Sequence, residues 1–136
     1  MNKKQTVFVG VAGVLILGLY TVNILFTDGM RFSKGTYEYW LTISSDTIQA
    51  FPLFGLVEDP VYFYSSGDGP SPSVQEIVYL SSSSEGELAQ EINSFLADRG
   101  YSKQGNFFVK GNDQISVTLV TKANNLVEVS ALLARD

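Results

Sequence analysis

Apolar positions along this chain fall into three patterns: one continuous run, one helical spacing and several alternations. The continuous run comes first. From Thr6 to Phe26 there are 21 residues without Asp, Glu, Lys or Arg, and thirteen of them are Val, Leu, Ile or Phe. At about 1.5 Å per residue such a helix reaches roughly 31 Å, against a bilayer hydrocarbon core of about 30 Å. Those thirteen side chains supply on the order of −4 to −8 kcal/mol toward insertion. The pattern predicts an uncleaved transmembrane signal-anchor helix over 6–26, preceded by a short cytoplasmic tail, 1–5. A cleaved signal peptide is the rival: Lys3 and Lys4 form a positive n-region, but the run exceeds an h-region and no small-x-small cleavage site follows Phe26. Lys3 and Lys4 are answered by Arg31 and Lys34, and the short N-terminal tail favours the N-terminus inside. Gly10, Gly13 and Gly18 are not four apart, so no Gly-x-x-x-Gly packing motif is present.

The helical spacing begins at Ser84. Ser84 and Glu87 make a Ser-x-x-Glu capping box, and Leu88, Ile92, Phe95 and Leu96 follow at i, i+4, i+7 and i+8. Gly100 supplies the left-handed position beyond Arg99. This predicts one amphipathic helix from Ser84 to about Arg99.

Alternation predicts strands. Ile115, Val117 and Leu119 alternate with Ser116 and Thr118; Val127, Val129, Ala131 and Leu133 alternate with Glu128 and Ser130. Strands are expected over Asn106–Val109, Gln114–Thr121 and Leu126–Leu133, with turns at Gly111-Asn112-Asp113 and Asn124-Asn125. Val61–Tyr64 and Val74–Leu80 read as two more, joined by a nine-residue loop rich in Ser, Gly and Pro. Tyr37–Ile43, aromatic and β-branched, suits a further strand. Ser45 and Asp46 offer cap chemistry for one helical turn that Pro52 ends. The segment 27–35 reads as a polar juxtamembrane link.

The resulting fold class is α+β: an N-terminal transmembrane helix, then a two-layer domain over 36–136 in which an antiparallel β-sheet is packed by one amphipathic helix, in the order β-β-α-β-β-β.

Charge and composition narrow the chemistry. Seven basic and fourteen acidic residues follow position 27, a net charge of −7 for that part of a chain whose total is −5. Nucleic acid and anionic headgroups are disfavoured, and a basic partner is the electrostatic counterpart. The chain has no Cys and no His. Disulfides, thiolate sites, Ser-His-Asp and Cys-His catalysis and a typical zinc site are therefore excluded. The absence of disulfides tilts the reading toward a bacterial envelope protein, in the inner (cytoplasmic) membrane with its C-terminal domain periplasmic.

The remaining catalytic candidates are weak. Ser33-Lys34 and Ser102-Lys103 lack Ser-x-x-Lys spacing. Glu58 and Asp59, adjacent, would point apart in a strand. Ser66-Gly67-Asp68-Gly69 lacks the ligand ladder of a calcium loop and the Lys-Ser/Thr of a phosphate loop. No catalytic residue, metal ligand or cofactor is assigned.

Aromatic residues are dense between 37 and 64, and alternation cannot hide them all on one face. Tyr37, Tyr39, Trp40, Phe51, Phe54, Tyr62 and Tyr64 are the candidate partner-binding residues, since Tyr and Trp favour interfaces and the apolar 51–56 run must fold under or meet a partner. The functional expectation is a membrane-anchored, non-enzymatic interaction domain that binds another envelope protein, as an accessory or inhibitory subunit or as an immunity protein against a basic toxin. The alternative is a small-ligand-binding or enzymatic domain with a carboxylate-based site.

Overall fold

The computed structural model describes residues 3–27, 29–67 and 70–135, with side chains from Val9 onward. Its centre is a fully antiparallel seven-stranded sheet: β1 (Met30–Ser33), β2 (Val61–Ser65), β3 (Ser73–Ser81), β4 (Ser102–Gln104), β5 (Phe107–Lys110), β6 (Asp113–Thr121) and β7 (Val127–Arg135). The order across it is β1-β2-β3-β7-β6-β5-β4. Among the described residues four helices accompany it: α1 (Lys3–Leu25), α2 (Tyr37–Thr42), α3 (Asp46–Gln49) and α4 (Glu85–Asp98). The strands form two meanders. They meet at β3 and β7, which pair over nine residues from Ser73↔Arg135 to Ser81↔Val127. Between these meanders α4 carries the chain from the middle of the sheet to the far edge.

α4 forms as its caps dictate. Ser84 Oγ accepts from the Glu87 amide and Glu87 Oε2 accepts from the Ser84 amide (3.0 Å), while Leu88, Ile92 and Leu96 are buried against the sheet. At the other end Gly100 sits at φ +84°, donating to Ala97, and Tyr101 donates back to Leu96, closing a Schellman motif. The sheet receives α4 on one face only. Phe32, Tyr62, Ile77, Tyr79, Phe108, Ile115, Val127, Val129, Ala131 and Leu133 build the core there.

Several expectations are corrected. The fold class changes: the domain is an antiparallel seven-stranded sheet with few helices, and its order departs from β-β-α-β-β-β. Tyr37–Ile43 is not a strand. Thr36 Oγ1 accepts from the Tyr39 amide and starts α2, and burial of Tyr39 and Thr42 on one helical face overrides the β propensity of the sequence. Part of the 27–35 link is instead the edge strand β1, which places Phe32 beside Tyr62 in the core. The three-residue edge strand β4 carried no alternation to reveal it.

The membrane assignment is also corrected. α1 forms as one helix, but among the described residues no helix is long and apolar enough to cross a membrane. Its end is tied to protein: Ile24 is fully buried, Tyr20 Oη donates to Glu38 Oε1 (2.6 Å), and Thr21 Oγ1 and Tyr37 Oη share a hydrogen bond (2.6 Å). The anchor over 6–26, the single-pass inner-membrane placement and the periplasmic position of the domain are withdrawn on that finding. Met1 and Asn2 of the expected tail, and the side chains of 6–8, lie outside the described residues.

Candidate functional site

The aromatic candidates do not form one patch. Tyr39, Phe51 and Tyr62 lie in the core, where the Tyr39 and Tyr62 rings meet edge-on at 4.8 Å and Phe51 meets Phe95 at 5.6 Å. Phe54 and Tyr64 are partly buried against the same cluster. Only Tyr37 and Trp40 are exposed, at 44% and 67%; Trp40 leans edge-on against Tyr39 and Tyr37 stacks on Tyr20. Burial without a charged partner pushes the Tyr62 hydroxyl up to about 12.

The apolar 51–56 run folds under. Tyr79 Oη donates to the Pro52 carbonyl (3.0 Å), Ser81 Oγ to the Phe54 carbonyl (2.6 Å) and the Ser82 amide to the Gly55 carbonyl (2.8 Å). Gly55 is required there: it holds φ +59°, and a Cβ would stand 2.6 Å from Ser83 Oγ and 2.9 Å from the Ser83 nitrogen. Beyond it only Leu56 and Val57 remain exposed, followed by the acidic pair Glu58 and Asp59.

The sequence reading missed a larger surface. Among the described residues no helix covers the second face of the sheet, which antiparallel sheets ordinarily give to polar side chains. Here the register sets Arg31, Phe63, Glu76 and Leu132 in one row, and Val61, Val78, Ser130 and Thr118 in the next. Leu80, Glu128 and Val120 form a third. Arg31, Val61, Phe63, Glu76, Val78 and Glu128 line a groove of about 400 Å³ on this face. Ser130 Oγ donates to Glu76 Oε1 (2.6 Å), and Lys122 pairs with Glu128 at 3.1 Å. Two apolar phases on β3 were the available signal, since Val74, Val78 and Leu80 alternate with Ile77 and Tyr79.

A second concavity opens at one end of the sheet, on the helix side. Ser44, Ser45, Asp46, Thr47, Arg99, Tyr101, Lys110, Asp113 and Arg135 enclose about 340 Å³. Gln75, buried on the core face of β3, fixes its rim by accepting from the Ser45 amide (3.0 Å) and donating to Ser44 Oγ (3.1 Å). Asp113 accepts from Arg135 Nε (2.5 Å) and Nη2 (2.9 Å), and this fork holds its carboxyl below the ordinary value. Among the described residues no group of three or more carboxylates could hold a metal ion, and Glu58 and Asp59 stand on an exposed loop away from both concavities.

No family model, curated protein or solved structure gives a significant match to this chain.

Proposed function

We propose that this chain is a non-enzymatic protein-interaction domain, an accessory or inhibitory subunit whose uncovered sheet face receives a basic partner. The observation that carries this reading is the apolar character of that face. Val61, Phe63, Val78, Leu80, Val120 and Leu132 stand on it, and among the described residues no helix or strand packs above them. Val61 and Val120 are each 42% exposed. The apolar part of this surface, centred on Val61, Phe63, Val78 and Leu80 of β2 and β3, is favourable to cover, and β-branched and aromatic side chains on a rigid sheet lose little entropy when covered. The net charge of −5 steers a basic protein toward the chain, and Glu76, flanked by Phe63 and Val78, offers a carboxylate to a Lys or Arg of that partner.

Site-specific photo-crosslinking tests it. A photoreactive residue at position 78 is expected to give a discrete adduct with a basic protein from the native host. One at position 94, exposed on α4, is expected to give none. Adduct yield should fall as salt is raised, because the attraction is screened. Equal labelling from both positions, or no adduct from position 78, refutes the reading.

A further inference from the structure

Although the chain is acidic, three of its nine basic residues line one cavity. Arg99 arrives as the C-cap of α4, Lys110 as the last residue of β5 and Arg135 as the last of β7. Unrelated local structures thus bring them together. The cavity walls also carry hydroxyls: Ser45, Thr47 and Tyr101 are 3%, 7% and 6% exposed, and Thr47 Oγ1 and Tyr101 Oη lie 3.2 Å apart.

These cations differ in what already satisfies them. Arg135 is committed to Asp113 by the two-bonded fork. Lys110 Nζ donates to the Arg99 carbonyl (2.7 Å), using one of its three N–H bonds. The Arg99 guanidinium lies 4.6 Å above the Phe95 ring and makes no hydrogen bond or ion pair among the described residues. It is a planar donor held in place by stacking, with its fork unused.

Counting Asp46 and Asp113 against the three cations, the described residues that line the cavity carry a net charge of +1. A monoanion neutralises it. A phosphate dianion would leave an excess negative charge beside Asp46, in a chain already at −5. We propose that this cavity is a binding site for a small carboxylate, whose two oxygens take N–H bonds from Arg99 and Lys110. A volume of about 340 Å³ suits an acid of a few carbons or the terminal carboxylate of a peptide. The site lies on the opposite side of the sheet from the proposed docking face, so each stands or falls alone.

Amide NMR titration of the full chain tests it, with sodium acetate and inorganic phosphate as probes and sodium chloride as the ionic-strength baseline. Acetate is expected to give saturable shifts confined to Ser44–Thr47, Arg99, Tyr101 and Lys110. Its affinity should exceed that of phosphate. Arg99→Gln should weaken it about ten-fold or more, the cost of a lost charge-assisted hydrogen bond, and Arg99→Lys should restore part of it. Linear, chloride-like shifts in the wild type refute the site without recourse to any variant. Tighter binding of phosphate refutes the carboxylate assignment. A titration unchanged in Arg99→Gln refutes the role of that residue.

Discussion

The Asp113 carboxylate and the Arg135 guanidinium close the open end of the β6–β7 ladder, meeting through two hydrogen bonds of 2.5 and 2.9 Å at the register pair where β6 begins and β7 ends. Asp113→Asn is expected to cost about 1 kcal/mol at neutral pH, the upper range for a partly exposed pair with forked geometry. The carboxyl is held below its ordinary value first by the hydrogen bonds from Arg135, so the stabilisation is present above the unfolded-state value. It is lost as pH falls through the folded-state value. Urea denaturation of wild type and variant from pH 7 to pH 2 should show the two curves converging in acid.

Alkaline pH should expose the tyrosine core. Burial raises the Tyr62 hydroxyl from 10.0 to about 12, so its contribution is complete below pH 10 and is lost as pH rises toward 12. Tyr62→Phe should flatten the fall in stability across that window, measured by denaturant midpoints at pH 9, 10 and 11.

Neighbouring residues on β3 should respond in opposite ways. Ile77 is fully buried, and Ile77→Ala is expected to cost about 2–5 kcal/mol. Val78 faces the uncovered side, and Val78→Ala is expected to cost about 1 kcal/mol or less. The same Val78→Ala change should weaken partner capture, which Ile77→Ala would do only by unfolding the domain.

Gly55→Ala should destabilise disproportionately for so small a change. It puts a Cβ against the Ser83 backbone at a left-handed φ, and about 1–2 kcal/mol is expected from the conformation alone. Thermal unfolding measures it, and Gly86→Ala, in an open position inside α4, should be neutral or stabilising.

Ser84→Ala removes the capping hydroxyl of α4 and should cost about 1 kcal/mol. Hydrogen exchange should show the loss first at the amides of Gly86 and Glu87.

How much of this was legible in the sequence depended on whether local chemistry was self-sufficient. α4 was readable at both ends because Ser84, Glu87 and Gly100 satisfy helix-terminal groups from nearby in the chain. β5, β6 and β7 were readable because turn residues and alternation agreed. α2 was not: its aromatic and β-branched residues suit a strand, and beyond the Thr36 cap it is the packing of Tyr39 against Tyr62 and the ties from Tyr20 and Thr21 that hold six residues as a helix. The aromatic candidates divide between core and surface for the same reason, because which of them is exposed depends on elements distant in the chain.

By itself, then, the sequence determined the absence of thiol and imidazole chemistry, the acidic charge, and the elements whose caps and turns lie within a few residues. The tertiary structure decided which face of β3 is core. Gln75 and Ser81 share the buried side with Ile77 and Tyr79, while Val78 and Leu80 lie opposite, an assignment alternation could not make with apolar residues in both phases. It also brought Arg99, Lys110 and Arg135 to one cavity and placed β1 at the sheet edge. Both outcomes follow from pairings between segments tens of residues apart, whose energy comes from contacts that no local pattern encodes.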